Sequence, residues 1–214
     1  MIALFNIIDT AKRVCPLSGS ERILLVTPGP HGAEYLRTLT AELSAHPCTL
    51  LEANARRLAQ LPTPPNKSAR ILGRATRLPF KRSSFDAVLS FESLYAIRPP
   101  WTVLAEFHRV LVPEGKLLLL EPASHGFFSA LRDKLTGPGK RVFPLDEVKY
   151  RLARGDYAVD RTEENLRVDG TRWPVYCVYA TKKENPAEPV PQFTTAREMI
   201  ERRKKKIPAG EELP

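Results

Sequence analysis

Four groups of residues in this sequence stand where chemistry is commonly done. Glu92 and Tyr95 follow the apolar run FDAVLSF at 85–91, and Ser124 and His125 follow KLLLLEP at 116–122. A carboxylate, phenol, hydroxyl or imidazole at such an exit is able to accept or donate a proton in a group transfer. Glu52 closes a third apolar run, CTLL at 48–51, and an acid at the end of a buried strand is placed to accept both hydroxyls of a ribose. TPGPHG at 27–32 joins the run RILLV to the helical pattern GAEYLRTLTAEL, so backbone N–H groups at a helix start face an anion or a closely held cofactor. Each group also has a structural alternative. Glu92 caps a turn, His125 merely precedes a helix, and Glu52 is a helix-leading carboxylate that favours the positive helix end. Both readings stay open at this point.

Positioning such residues requires strands whose ends line up. FDAVLSF and KLLLLE are short apolar runs of the kind buried on both faces of a sheet. Between them, Val103, Leu104, Phe107, Val110 and Leu111 recur at helical spacing and leave Glu106 and Arg109 for solvent. Pro113-Glu114-Gly115 should end that helix in a tight turn. Strand, helix, turn and strand make one βαβ crossover, which implies a parallel sheet. RILLV at 22–26, CTLLE at 48–52 and ARIL at 69–72 read as the first three strands, with a helix ANARRLAQL at 53–61. PLDEVKYRLAR reads as a later helix, followed by the turn at Gly155, a sixth strand and the strand PVYCVYATKK. A short amphipathic helix is expected over 4–14, and a lid over 126–145 carrying Phe127, Phe128, Leu131 and Leu135 on one face.

The order LPF, a polar linker, SFDAVLS and a helix ending in HRVLVPEGKLLLLEP resembles the class I S-adenosylmethionine (SAM) dependent methyltransferases, in the type 11 branch with small-molecule acceptors. The resemblance covers about residues 18–183. It implies an α/β, doubly wound, mostly parallel seven-stranded sheet with an antiparallel last strand paired to the sixth. It also implies SAM as cofactor, with contacts at Thr27, Gly29, His31, Gly32, Glu52, Ala75 and Ser90, and Glu92, Tyr95 and His125 as candidates for proton transfer. Four positions depart from the family pattern. Leu25 stands where an acid is usual late in the first strand. Thr27 and His31 interrupt the usual triple-glycine loop. Arg74 replaces an acid that accepts from the adenine amino group, and arginine has no acceptor to offer.

Composition sets the remaining bounds. The 214 residues suffice for one core. Cys15, Cys48 and Cys177 lack metal-ligand spacing and read as buried thiols of a reducing, cytoplasmic compartment. The start is too soon interrupted by charge for a secretory signal, and no apolar run reaches membrane-spanning length. The net charge of +9 belongs to residues 1–183, because six acids balance six bases from Glu184 onward. Its arginines are scattered without interleaved aromatics, which speaks against a nucleic-acid partner. The chain therefore divides into a domain over 1–183 and a proline-rich, charged tail over 184–214. In that tail Phe193, Met199 and Ile200 offer small anchors for a protein partner. Two functions follow as expectations: methyl transfer to a small or lipid-like acceptor, or a binding and assembly role for a methyltransferase fold with an altered cofactor pocket.

Overall fold

The computed structural model describes residues 21–27, 31, 35–36, 43, 46–61, 69–123, 142–166 and 174–184. Its strands are β1 (Ile23–Val26), β2 (Cys48–Glu52), β3 (Ala69–Leu72), β4 (Phe85–Phe91), β5 (Leu111–Pro122), β6 (Tyr157–Leu166) and β7 (Val175–Lys182). Between them run α1 (Ala55–Gln60), α2 (Ser93–Ala96), α3 (Pro100–Val110) and α4 (Leu145–Arg154). The strands form one sheet in the order β3-β2-β1-β4-β5-β7-β6. All neighbours from β3 to β5 are parallel, and β7 runs antiparallel to both β5 and β6. This is the sheet the sequence led us to expect, with its one reversed strand inserted between β5 and β6. The expected helix at 4–14, most of the lid and the tail lie outside the described residues.

Alternation along the strands sorts their side chains into two cores. Leu24, Val26, Val88, Leu117 and Leu119 face Phe107 and Val110 of α3 and Val148 and Leu152 of α4. Ile23, Leu25, Leu50, Leu89, Phe91 and Leu118 face the other way, toward Tyr35, Leu36 and Leu43. A side-chain period of two, apolar on both faces, is what a sheet covered on each side requires. β6, at the edge, buries only Tyr157 and leaves its other residues partly or fully exposed. Val142 and Phe143, read from sequence as the end of the lid, are instead core: Phe143 packs on Trp101 with ring centroids 4.7 Å apart.

The crossover differs in two details from its sequence reading. α3 begins at Pro100, whose missing N–H is no loss in a first turn. It ends at Val110 without waiting for the proline, and Leu111 already pairs with Phe85. The next pairs are Ala87 with Lys116 and onward, so residues 112–115 bulge out of the ladder, with Glu114 at a left-handed φ of 60°. A Cβ on Gly115 would lie 2.8 Å from the Val112 carbonyl oxygen, so only glycine closes the bulge without displacement. Glu106 and Arg109 are also not left to solvent. Arg109 binds Glu106 at 2.7 Å and donates to the carbonyls of Leu78 and Phe80, while Glu106 accepts from the Leu78 N–H at 2.6 Å. The pair fastens the Leu78-Pro79-Phe80 turn to α3, and each member holds the other's charge: Glu106 is kept below the usual carboxylate range chiefly by its hydrogen bond from Arg109.

Candidate active site

Parallel register brings the ends of β2, β1 and β4 side by side, with Val26 opposite Leu51 on one side and Ser90 on the other. The order reverses between β1 and β4, since the chain moves outward from β1 through β2 to β3 and then returns to place β4 beside it. Such a switch point opens a crevice beyond the strands' carboxyl ends, the usual ligand place of open α/β sheets. Thr27, Glu52 and Glu92 are the residues immediately at or after those three ends, and all three are buried.

Glu52 is fixed but incompletely satisfied. Its Oε1 accepts from the Asn54 N–H at 2.7 Å and from the Arg57 guanidinium at 3.0 Å. Asn54 in turn caps α1 by accepting from the Arg57 N–H. Oε2 of Glu52 is buried with no hydrogen-bond partner among the described residues, and so is Oγ1 of Thr27. An orphaned buried acceptor costs about 1–3 kcal/mol, more for a charged one. Glu52 Oε2 lacks a donor, which a ribose hydroxyl can be, and the Thr27 hydroxyl is able to donate or accept.

Glu92 sits in left-handed backbone at φ 59°, held by its own N–H donating to the Leu120 carbonyl at 2.8 Å. Residues in such strained backbone cluster at functional sites. Its Oε1 lies 2.6 Å from His31 Nδ1 and accepts weakly from the Tyr35 hydroxyl at 3.5 Å, while Oε2 has no hydrogen-bond partner among the described residues. The His31 side chain, 25% exposed against 2% for Glu92, thus bridges the crevice from the loop after β1 to the exit of β4. Tyr35 stacks on Phe91 with centroids 5.0 Å apart, which keeps its hydroxyl beside Glu92. Burial, with Glu92 and Glu121 adding to it, pushes the Tyr35 phenol far up, so it stays protonated.

The other expected site residues separate into roles. Ser90 is fully buried and hydrogen-bonds the Ser93 hydroxyl at 2.5 Å. Ala75 is core, packed with Leu51 and Leu78. Arg74 is exposed, its backbone forming a small bridge with Arg77. Tyr95 is half-buried, and its N–H donates to Glu121 Oε2 at 3.1 Å. Gly29, Gly32, Ser124 and His125 lie outside the described residues. Sequence reasoning missed α2, and read Glu121 only as a residue that orders the end of its own strand. This buried acid accepts the N–H of Leu94 at 2.9 Å as well as that of Tyr95, tying β5 to the turn that carries Glu92. Desolvation by burial pushes its carboxyl up to about 8 despite those donors. The carboxyl ending the run KLLLLE was the one available signal.

Comparison with known proteins agrees with this geometry. Residues 26–119 match the family model described as a methyltransferase domain. A demethylmenaquinone methyltransferase of Renibacterium salmoninarum is 42% identical over 104 residues, 49% of this chain and 41% of that protein, so the chain matches less than half the relative's length. Among solved structures, a SAM-dependent methyltransferase of Methanosarcina mazei superposes with a TM-score of 0.61 at 18% identity, covering 79% of this chain and 95% of that one. The [4+2]-cyclase SpnF does so at 0.64 and 16%, covering 84% and 81%. At such identities the structures speak for the fold alone. The chain thus has the fold of the SAM-dependent methyltransferase structures, and its residues 26–119 are similar to a methyltransferase domain.

Proposed function

We propose that this protein transfers a methyl group from SAM to a small or lipid-like acceptor in a reducing, cytoplasmic setting. The observation that carries the reading is the buried Glu52 carboxylate at the end of β2, with one oxygen anchored and the other lacking a donor among the described residues. Glu52 would take the ribose hydroxyls, and Thr27 with the backbone of the 27–32 loop would hold the amino-acid end. Bound there, SAM supplies a methyl carbon made electrophilic by its sulfonium. The chain's own part is to align the acceptor and exclude water, which is where most of the gain in such a transfer arises. An apolar acceptor of the kind named for the Renibacterium relative suits the reading; a quinone precursor is one such molecule. Free buried thiols at Cys48 and Cys177 fit a reducing compartment.

A second reading, a methyltransferase-fold component that binds or assembles without turnover through its 184–214 tail, is favoured by one observation. The His31 side chain spans the crevice in which a ligand would lie. The two readings part on turnover. The full chain, given SAM with a deuterated methyl and a panel of phenols, naphthohydroquinones and prenylated naphthohydroquinones, should yield a product heavier by one CD3 for one hydrogen in mass spectrometry. SAM binding with no product anywhere in the panel would favour the assembly component.

A further inference from the structure

Glu52 is held through both its backbone and its side chain, and the division of its contacts between the two carboxylate oxygens limits what each can do. Its carbonyl accepts the Gly73 N–H at 3.0 Å, which fixes the main chain where β2 and β3 end together. Its Oε1 accepts the Asn54 N–H at 2.7 Å and the Arg57 guanidinium at 3.0 Å. Arg57 is itself fixed, because its backbone N–H donates to Asn54 Oδ1 at 3.0 Å. Residues 52, 54 and 57 therefore close a ring of hydrogen bonds, in which a half-exposed guanidinium anchors a carboxylate that is only 1% exposed. An ionised carboxylate offers about four acceptor positions, two on each oxygen. Both positions of Oε1 are filled. The two on Oε2, which is buried and has no partner among the described residues, match the two hydroxyls of a ribose. The Asn54 bond alone pins Oε1 at one point, about which the carboxylate can still turn; the second donor, from α1, stops that rotation.

We propose that Arg57 is a positioning residue of this site: by filling the second acceptor position of Oε1 it fixes the carboxylate plane, so that both free positions of Oε2 meet the ribose diol of the cofactor. This deepens the methyltransferase reading and rests on it. Arg57 acts on the nucleoside only through Glu52 and takes no part in the transfer. Its effect is preorganisation: the carboxylate is oriented before the ligand arrives, so that binding does not have to arrest it. Removing the guanidinium should therefore weaken ligands that carry the two hydroxyls and spare those that lack them. A guanidinium that merely stabilised α1 would affect both classes alike, and one that stacked on adenine would go on doing so without Glu52. The cap of α1 uses the backbone N–H of Arg57, so a change of its side chain leaves that cap in place.

The test is a thermodynamic cycle measured by calorimetry on the full chain with two probes, S-adenosylhomocysteine and its 2′,3′-dideoxyadenosyl analogue. Wild type, Arg57→Met, Glu52→Ala and the double variant are compared, with circular dichroism confirming that each folds. Arg57→Met should bind S-adenosylhomocysteine about tenfold or more weakly than wild type does, and the dideoxy analogue within about threefold of it. In the Glu52→Ala background the same substitution should change the affinity for either probe by less than about threefold. Equal or tighter binding of S-adenosylhomocysteine by Arg57→Met, an equal loss for the two probes, or a loss that persists in full without Glu52 overturns the proposal while leaving the cofactor pocket standing. No binding of S-adenosylhomocysteine by wild type would overturn the methyltransferase reading itself.

Discussion

Glu121 shows how a single residue carries both a structural duty and a cost. Its two oxygens accept the N–H groups of Leu94 and Tyr95, yet burial lifts its carboxyl from 4.5 to about 8. The unfolded chain ionises this group at lower pH than the folded one does. Its contribution to stability is therefore full below about 4.5 and is lost as pH rises toward about 8. In Glu121→Gln, urea unfolding measured from pH 5 to 8 should lose that decline, leaving a flatter profile; an unchanged slope would place the effect elsewhere. At this scale the sequence was only partly legible. Glu52 and Glu92 were visible because an acid ending an apolar run is unusual. The partners were not, because sheet register decides them: Arg22 and Asp86 form a two-pronged pair across 64 positions, set by β1 lying beside β4. In the same way nothing in TPGPHG announces that His31 reaches Glu92.

The βαβ crossover at 85–122 was the most legible element, since its strands are apolar on both faces and its helix keeps a strict 3.6 period. What escaped was the service of the helix's polar face. Glu106 and Arg109 read as solvent-facing by period alone, whereas the turn at 78–80 folds back over them and supplies one N–H and two carbonyls. That turn precedes β4 and sets where the strand begins, so the pair belongs to the framework of the site. Arg109→Ala would leave Glu106 half-buried without its cation and strand two turn carbonyls. A loss of about 1–3 kcal/mol is expected, read as a lowered urea midpoint with unchanged slope. A variant as stable as wild type would show that the turn holds by its apolar contacts alone. The bulge at 112–115 was half legible: proline and glycine marked a break, but only the pairing of Leu111 with Phe85 shows that the strand starts before it.

At the scale of the molecule, the sheet order follows from buried runs and connection lengths, and for that reason it constrains the reaction least. SpnF, a [4+2]-cyclase, shares the fold at a TM-score of 0.64, so architecture by itself does not choose the chemistry. The choice falls to the crevice where β1 and β4 part, and there the departures at Leu25, His31 and Arg74 matter. Leu25 is core, Arg74 is exposed, and His31 has been drawn into a pair with Glu92. None of the three hydrogen-bonds Glu52 Oε2, which has no partner among the described residues and on which the proposed adenosine recognition would depend. The decisive measurement is calorimetric titration of SAM into the full chain and into Glu52→Ala. Micromolar binding by wild type, weakened roughly 100-fold or more in the variant by loss of two charge-assisted hydrogen bonds, is the result this account predicts. No heat at millimolar SAM, or equal affinity in the two proteins, would contradict it.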